Sequence, residues 1–256
     1  MTSDASIAAM LYKFLPAKYA LQALQESRVK VSRMNKLNDI YDCFPRVTGK
    51  GKFFEDDPKH AEEYVRRRAF EEYGMISYCG AVESLLLWSH YADSHRGIAL
   101  GFDYGTGTFN QTSPTSLLRI AEPVVYADEP GAERASIDIS KIAATAKIEK
   151  ISGTRLMLNE GFRFKGAEWK YEDESREFVL LETCEMNGEN YFMPFQCSML
   201  KKVVLGADCE IDAATVAHSL RQGRQRGIWS EVTIQRASRN PTHLKVDLRT
   251  ERSFIG

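Results

Sequence analysis

The stretch WSHYADSHRGIALGFD, residues 88–103, brings together an indole, two imidazoles, a phenol and two carboxylates. A zinc helix would need two histidines four residues apart with a Glu between them. His90 and His95 are five residues apart, which places them about 140° apart around a helix. The adjacent Ser89 and His90 would diverge by about 100° and cannot form a nucleophile–base pair. The pattern therefore argues against metal and nucleophile chemistry here and leaves a binding pocket or a well-packed core helix.

A second stretch, KGAEWKYEDESREFVLL at residues 165–181, is rich in acids. If a strand begins at Tyr171, the residues on one face are Glu172, Glu174 and Arg176, and those on the other are Asp173, Ser175 and Glu177. The arginine can then hold Glu174 ionised beside a second acid. A charged edge strand that prevents aggregation would show the same pattern. Trp169 favours a pocket, because an indole beside a carboxylate cluster often forms a pocket wall.

Strand and helix patterns alternate along the chain without a regular βαβ rhythm. We predict strands over 11–15, 28–32, 74–80, 97–102, 123–128, 175–183, 201–206, 231–238 and 243–249, and helices over 17–27, 57–73, 83–94, 137–151 and 211–225. MNKLNDIYDCF (34–44) is predicted to be a loop. This order indicates an α+β fold with a mainly antiparallel or mixed sheet. A doubly wound dinucleotide fold is disfavoured, because GFDYGTGTF has neither a GxGxxG pattern nor a following helix.

The bulk composition is that of an ordinary globular protein, with 43% hydrophobic and 27% charged residues. The formal net charge of −1 gives no general attraction to nucleic acid or to a membrane surface. Five cysteines without a CxxC pair argue against a disulfide framework or a zinc ribbon and favour a reducing compartment. There is no secretion signal pattern and no apolar run approaching about 18 residues. We therefore expect a cytoplasmic protein with no membrane partner.

Four blocks of the sequence share their pattern with one known family: LYKFLP, VKVSRMNKLNDIYDCF, ISYCGAVESLLLWSHYADSHRGIALGFD and KGAEWKYEDESREF. They resemble the bacterial family catalogued as domain of unknown function 2971, in which WxHYAxxHxGxxxxF and KxxxWxxExExR are the most specific patterns. The resemblance runs from Leu11 to about Gly206. In the first loop the chain has LNDI at residues 37–40, where the family usually has Phe-Asn-Asp-Pro.

That family is in turn similar to the ADP-ribosyltransferase superfamily, whose sheet is split around a cleft for NAD. The resemblance implies one α+β domain over residues 1–256, with a central split sheet flanked by helices. It also implies that NAD is a substrate and that no metal takes part. Cleavage of the nicotinamide–ribose bond passes through an oxocarbenium-like state, which a nearby carboxylate can stabilise.

The resemblance assigns roles to individual residues. The catalytic residues would be Glu174, as the carboxylate near the ribose, Glu172, which orients or activates the acceptor, and Tyr91, which stacks on the nicotinamide. The residues expected to bind NAD are Tyr12, Lys13, Ser77, Tyr78, Trp88, His90 and Arg176. Lys13 would pair with the pyrophosphate or the adenine-side ribose, at a position where the polymerase-like branch of the superfamily has a basic residue or His.

The function implied is an NAD-dependent ADP-ribosyltransferase that modifies an unknown protein or nucleic-acid acceptor and acts as a toxin-like or phage-defence effector. Two alternatives stay open. One is an NAD glycohydrolase, in which water replaces the acceptor. The other is a non-catalytic module that senses NAD or an ADP-ribose derivative.

Overall fold

Strands and helices alternate along the chain much as the hydrophobic pattern predicts. The computed structural model describes residues 10–49, 58–104, 121–149, 153–223, 229 and 231–254. The strands are β1 (Met10–Leu15), β2 (Arg28–Arg33), β3 (Arg46–Thr48), β4 (Tyr73–Cys79), β5 (Ile98–Asp103), β6 (Glu122–Pro123), β7 (Val125–Tyr126), β8 (Ser136–Asp138), β9 (Phe164–Lys165), β10 (Glu174–Leu180), β11 (Glu185–Asn187), β12 (Asn190–Pro194), β13 (Leu200–Leu205), β14 (Val232–Arg239) and β15 (Val246–Phe254). The α-helices are α1 (Ala17–Glu26), α2 (Pro58–Glu72), α3 (Leu85–Tyr91), α4 (Ile139–Glu149), α5 (Gly153–Gly161) and α6 (Ala213–Gly223). Short 3-10 helices span Met34–Lys36, Ala167–Glu172, Leu181–Thr183 and Cys197–Met199.

Three predictions of local structure need correction. The strand predicted over 123–128 consists of β6 and β7, which are interrupted at Val124 and pair with different strands. The helix predicted from residue 137 begins at Ile139, because the preceding residues form β8 and pair with β3. Helix α5 has no counterpart in the prediction. Residues 150–151 of the helix predicted over 137–151, residue 57 of the helix predicted over 57–73 and residues 224–225 of the helix predicted over 211–225 lie outside the described residues.

A large mixed sheet dominates the described part of the chain. Its strand order is β11-β12-β2-β4-β1-β5-β13-β14-β15, with β10 pairing with β4 and β6. Strands β13 and β14 pair in parallel, and the other ladders of this sheet are antiparallel. Helices flank the sheet, so the predicted α+β fold with a mixed sheet is confirmed.

The sheet opens along one edge of β4. On the other edge β10 pairs with β4 over its whole length, from Glu174 opposite Cys79 to Leu180 opposite Tyr73. On the open edge β2 pairs with β4 only near its start, and β1 pairs only through Tyr12 opposite Cys79. Between these contacts β1 diverges from β4 and follows β5 instead. The gap between β1, β2 and β4 therefore results from the way these strands pair.

Apolar side chains cover both faces of the sheet. Ile76 and Tyr78 of β4 belong to a buried core that includes residues of α1 and α6. Met75, on the opposite face, belongs to a second core with residues of α2 and α5. A third core fixes α3 on β1, where the rings of Phe14 and Trp88 meet edge to face with centroids 5.0 Å apart. None of the described helices is both long enough and apolar enough to cross a membrane.

We predict that Trp88→Ala lowers the free energy of unfolding by about 3–5 kcal/mol, because it leaves a cavity in the core that holds α3. The indole is fully buried, and its N–H donates to the Val82 carbonyl at 2.7 Å. Urea denaturation of the full chain measures the change. Leu86→Ala is the matched control on the same helix, since Leu86 is 46% exposed, and it should cost far less. Equal losses for the two variants would show that α3 is not anchored through Trp88.

Candidate functional site

The gap at the open edge of β4 forms a cavity of about 190 Å³, which we call the smaller cavity. Its lining residues are Tyr12, Lys13, Phe14, Ser32, Leu37, Asn38, Asp42, Met75, Ser77, Cys79, Tyr91, Lys165, Glu172 and Glu174. Directly paired residues on antiparallel strands project to the same face. The pairing of Ser77 with Arg176 and of Cys79 with Glu174 therefore places both charged side chains on the cavity side of the sheet.

The acidic stretch reaches the cavity by a route different from the predicted one. Residues 167–172 form a 3-10 helix, and the strand begins at Glu174 rather than at Tyr171. Asp173 lies between them in the left-handed region, with φ of 45°. This turn brings Glu172 and Glu174 together against one cation, Lys165, although they do not share a strand face. The prediction that they lie together holds, but the reason given for it is wrong.

Arg176 holds the buried charges together. Its guanidinium is fully buried and contacts both oxygens of Glu174, at 2.9 and 3.0 Å, and both oxygens of Asp42, at 2.7 Å each. It also donates to the Phe162 carbonyl at the end of α5, at 2.8 Å. Paired, two-pronged contacts of this kind fix geometry as well as charge. Arg176 therefore joins the loop 37–44 and α5 to the first residue of β10.

Lys165 is the second cation of this network. Its ammonium contacts Glu172, lies 3.1 Å from Glu174 and 3.7 Å from Asp42, and sits 4.8 Å from the centroid of the Trp169 ring. The Lys165 side chain is 5% exposed, and the two glutamate side chains are 4% exposed. With Arg176, the network contains two cations and three carboxylates, so it carries one net negative charge beside the cavity.

The network sets the protonation of Glu174. Burial alone would raise the pKa of Glu174, but the charges of Arg176 and Lys165 and hydrogen bonds from Arg176 and Ser77 lower it to about 2. Burial opposes the charge of Lys165, and the attraction of Glu174 and Glu172 outweighs it and raises the pKa of Lys165. Glu174 is therefore a carboxylate and Lys165 an ammonium at neutral pH.

Tyr91 closes one side of the smaller cavity. It is the last residue of α3, and its hydroxyl donates to Glu172. Burial and this hydrogen bond raise the pKa of Tyr91, so the phenol remains a donor. His90 projects outwards and hydrogen-bonds the Tyr171 hydroxyl at 3.2 Å. The chain then turns through Asp93, Ser94 and His95, three successive residues with positive φ, before β5 begins.

Lys13 lies at the point where the sheet opens. Its ammonium donates to the Ser77 carbonyl at 3.2 Å, across the gap that strand pairing leaves between β1 and β4. A backbone carbonyl in such a place needs a donor, and the lysine supplies it. Burial lowers the pKa of Lys13, although the charge of Glu174 partly opposes this.

The structure brings most of the predicted site residues together. Those that line the smaller cavity are Tyr12, Lys13, Ser77, Tyr91, Glu172 and Glu174. Residues from four separate segments of the chain thus surround one concavity, as the sequence predicts. Their chemical roles stay predictions.

Four residues predicted to bind NAD do not line this cavity. Tyr78 points to the opposite face of β4, where its ring packs against Phe102 with centroids 5.8 Å apart. Trp88 is enclosed in the core under α3. Arg176 is buried behind Glu174, and His90 is exposed outside Tyr91. Direct contact of Tyr78, Trp88 or Arg176 with NAD is therefore a wrong prediction, because none of the three has surface for a ligand to touch.

The sequence patterns did not identify the two residues that complete the network, Asp42 and Lys165. Lys165 opens the KxxxW pattern of the acidic block, which is the one signal that could have identified it. Asp42 was assigned to a loop, and its pairing with Arg176 joins residues 134 positions apart in the chain. Cys79 also lines the cavity, but burial and the neighbouring glutamates raise the pKa of its thiol, so it is not a ready nucleophile.

Within the described ranges, no group of three or more His, Cys, Asp or Glu side chains is arranged to hold a metal ion. The lining of the smaller cavity offers carboxylates, a phenol and ammonium groups.

Comparison with known families supports one part of the resemblance. Residues 87–177 match the family model described as Protein of unknown function (DUF2971). The match starts in α3 and ends in β10, so it includes Tyr91, Lys165 and the Glu172–Arg176 segment. Lys13 and Asp42 lie outside it. No curated protein and no solved structure gives a significant match to the chain.

The lowered pKa of Glu174 predicts how stability depends on pH. The folded-state pKa of about 2 lies below the ordinary value of 4.5, so the ionised carboxylate stabilises the fold above pH 4.5. That contribution is lost as the pH falls from about 4.5 towards about 2. Glu174→Gln should therefore be less stable at neutral pH and should lose less stability across this acid range than the wild type. Denaturant unfolding at a series of pH values measures both.

Asp173→Asn is the matched control for this measurement. Asp173 is exposed, and asparagine also adopts the left-handed conformation that this position requires. Its acid profile should follow that of the wild type. An unchanged acid slope in Glu174→Gln would mean that the buried ion pairs are not the source of the pH dependence.

Proposed function

We propose that the protein is an NAD-dependent ADP-ribosyltransferase whose smaller cavity binds the nicotinamide riboside end of NAD. The observation that carries the proposal is the buried network of Asp42, Lys165, Glu172, Glu174 and Arg176, which holds the carboxylates of Glu172 and Glu174 in the lining of the cavity. A fixed negative charge stabilises a transition state that becomes more positive than the ground state. Cleavage of the nicotinamide–ribose bond is a reaction of that kind.

The proposed chemistry needs only groups that line the cavity. The bond between the nicotinamide nitrogen and the ribose carbon breaks, and its electron pair leaves with the nicotinamide, which becomes neutral. The acceptor forms the new bond to the same ribose carbon. Glu174 stabilises the developing positive charge, and Glu172, between Tyr91 and Lys165, takes the acceptor's proton.

The size of the smaller cavity limits what it can hold. Its volume of about 190 Å³ is below the roughly 300–1,000 Å³ of cavities that enclose whole small-molecule ligands. We therefore propose that it encloses the nicotinamide ring and adjoining ribose, with Tyr91 stacked on the ring, while the adenosine diphosphate part lies outside.

One observation favours a second candidate, a non-catalytic module that binds NAD or an ADP-ribose derivative. Both carboxylate oxygens of Glu174 already accept hydrogen bonds, one from Arg176 and the other from Arg176 and Lys165. A carboxylate held in this way can be a structural part of the pocket. The module would bind NAD tightly and release no nicotinamide.

We predict that Glu174→Gln lowers the rate of nicotinamide release by about a hundred- to a thousand-fold. The change keeps the shape of the side chain and removes the charge, and loss of such an electrostatic partner costs about 2.7–4 kcal/mol in the transition state. Binding of NAD should change much less, because the ribose carbon carries little positive charge in the ground state. Labelled NAD, incubated with the purified protein and cell lysate, measures release and transfer together.

The outcomes of this experiment separate the candidates. Asp173→Asn should release nicotinamide at the wild-type rate. Release without transfer of label to any lysate component would indicate an NAD glycohydrolase. Tight binding of NAD without release by the wild type would indicate the sensing module, and equal release by wild type and Glu174→Gln would contradict a catalytic role for Glu174.

We predict that Tyr91→Phe and Tyr91→Ala affect different steps. Phenylalanine keeps the ring but loses the hydrogen bond to Glu172, so the rate should fall by about tenfold with little change in the affinity for NAD. Alanine also removes the stacking surface and should weaken NAD binding by about tenfold or more. Titration with NAD followed by single-turnover kinetics distinguishes the two effects. Equal affinities for all three proteins would contradict stacking by Tyr91.

A further inference from the structure

A second and larger cavity, of about 770 Å³, shares the lining residue Lys165 with the smaller cavity but is not lined by Glu172 or Glu174. This volume is in the range of cavities that enclose a ligand. Five aromatic side chains line it: Tyr41, Phe44, Phe164, Trp169 and Tyr171. We call it the larger cavity. The function proposed above does not involve the larger cavity.

The two cavities share one lining residue, Lys165. The loop 37–44 and the 3-10 helix 167–172 each contribute residues to both cavities. Trp169 lines the larger cavity, and the Lys165 ammonium lies over its ring, 4.8 Å from the ring centroid. A ligand in the larger cavity would therefore lie beside Lys165, a member of the charged network that borders the smaller cavity.

The charges of the larger cavity favour a cationic ligand. Its three cations all have carboxylate partners: Arg46 pairs with Glu133 at 3.3 Å, Arg134 with Glu62 at 3.7 Å, and Lys165 belongs to the buried network. The other carboxylates of the lining are those of Asp39, Glu129 and Glu168. These three take part in none of the ion pairs found among the described residues. The charge left for a ligand to meet is thus negative.

The aromatic lining favours a planar cation. The guanidinium carbons of Arg66 and Arg134 already lie 3.9 and 4.9 Å from the centroid of the Phe44 ring. Guanidinium groups stack on aromatic faces and form paired hydrogen bonds to carboxylates, which an ammonium does less well. An aromatic cavity with surplus carboxylates has the composition that recognises one more guanidinium group.

Exposed apolar residues next to the larger cavity indicate which kind of molecule presents the guanidinium group. Tyr41 lines the cavity and is 65% exposed, and the preceding Ile40 is 82% exposed. Exposed apolar side chains next to a cavity offer a surface to residues on either side of an inserted side chain. We infer that the larger cavity binds an arginine side chain presented by a polypeptide. This inference is independent of the function proposed for the smaller cavity.

Calorimetric titration of the full chain without NAD tests the inference. The probe is a short acetylated and amidated peptide with one central arginine between apolar residues. The matched ligand is the same peptide with citrulline, which has a similar shape and no charge. Further arms are free arginine amide and a single-stranded oligonucleotide. The arginine peptide should bind about tenfold or more tightly than the citrulline peptide, with an affinity that falls as salt rises.

A charge-neutralising double variant locates the binding site. Glu129 and Glu168 are exposed, so Glu129→Gln with Glu168→Gln should fold normally and should weaken binding of the arginine peptide by about tenfold. Asp39 is left unchanged, because its carboxylate accepts the Tyr41 backbone N–H. Glu71→Gln, an exposed change on α2 away from the cavity, is the control and should leave the affinity unchanged.

Three results would overturn the inference. Equal binding of the arginine and citrulline peptides would exclude charge recognition, and binding of the oligonucleotide instead of the peptide would exclude a cationic ligand. Free arginine amide that binds as tightly as the peptide would show that no polypeptide is needed. Because no NAD is present, these results do not depend on nicotinamide release, and a protein inactive on NAD could still bind the peptide.

Discussion

The contact between Arg176 and the two carboxylates of Asp42 and Glu174 is the interaction on which the rest of the site depends. A guanidinium that is fully buried would be strongly destabilising without partners, and one of its two partners, Asp42, comes from a distant part of the chain. By satisfying Arg176, the fold must hold the loop 37–44, the end of α5 and the start of β10 in one arrangement. Removal of either partner would leave a buried charge, so the loop cannot move away without loss of the site.

This constraint also explains which parts of the fold could be predicted from the sequence. Strands β1 and β4 have clear apolar patterns, and their predicted bounds are within one residue of the observed ones. The strand predicted over 175–183 ends at Leu180, and the helix predicted over 83–94 spans only Leu85–Tyr91. The concavity of Tyr12, Ser77, Tyr91 and Glu174 followed from a resemblance in their order. It could not be derived from spacing, because those residues meet only when β1 diverges from β4.

What could not be predicted has a local cause in each case. The two-residue strands β6, β7 and β9 are too short to show a period. Strand β6 forms on the free edge of β10, and β7 and β9 pair with each other. We predicted that Glu172 lies on a strand. It is instead the last residue of a 3-10 helix, because the chain turns through the left-handed region at Asp173 before β10 begins. Lys165 showed no partner in sequence, because its three carboxylates come from the loop 37–44 and from both sides of that turn.

The hydrogen bond from Lys13 to the Ser77 carbonyl gives the open edge of β4 a requirement of its own. The lysine takes the place that a neighbouring strand's N–H would have in a closed sheet. A phosphate group that drew the ammonium away would leave this carbonyl without its donor, at a cost of about 1–3 kcal/mol. A ligand avoids that loss when it brings an N–H or O–H group to the same carbonyl. Tight ligands of this cleft should therefore combine an anionic group that pairs with Lys13 and an N–H or O–H group that donates to the Ser77 carbonyl in place of the lysine. The open edge of the sheet would then select for molecules that have both groups.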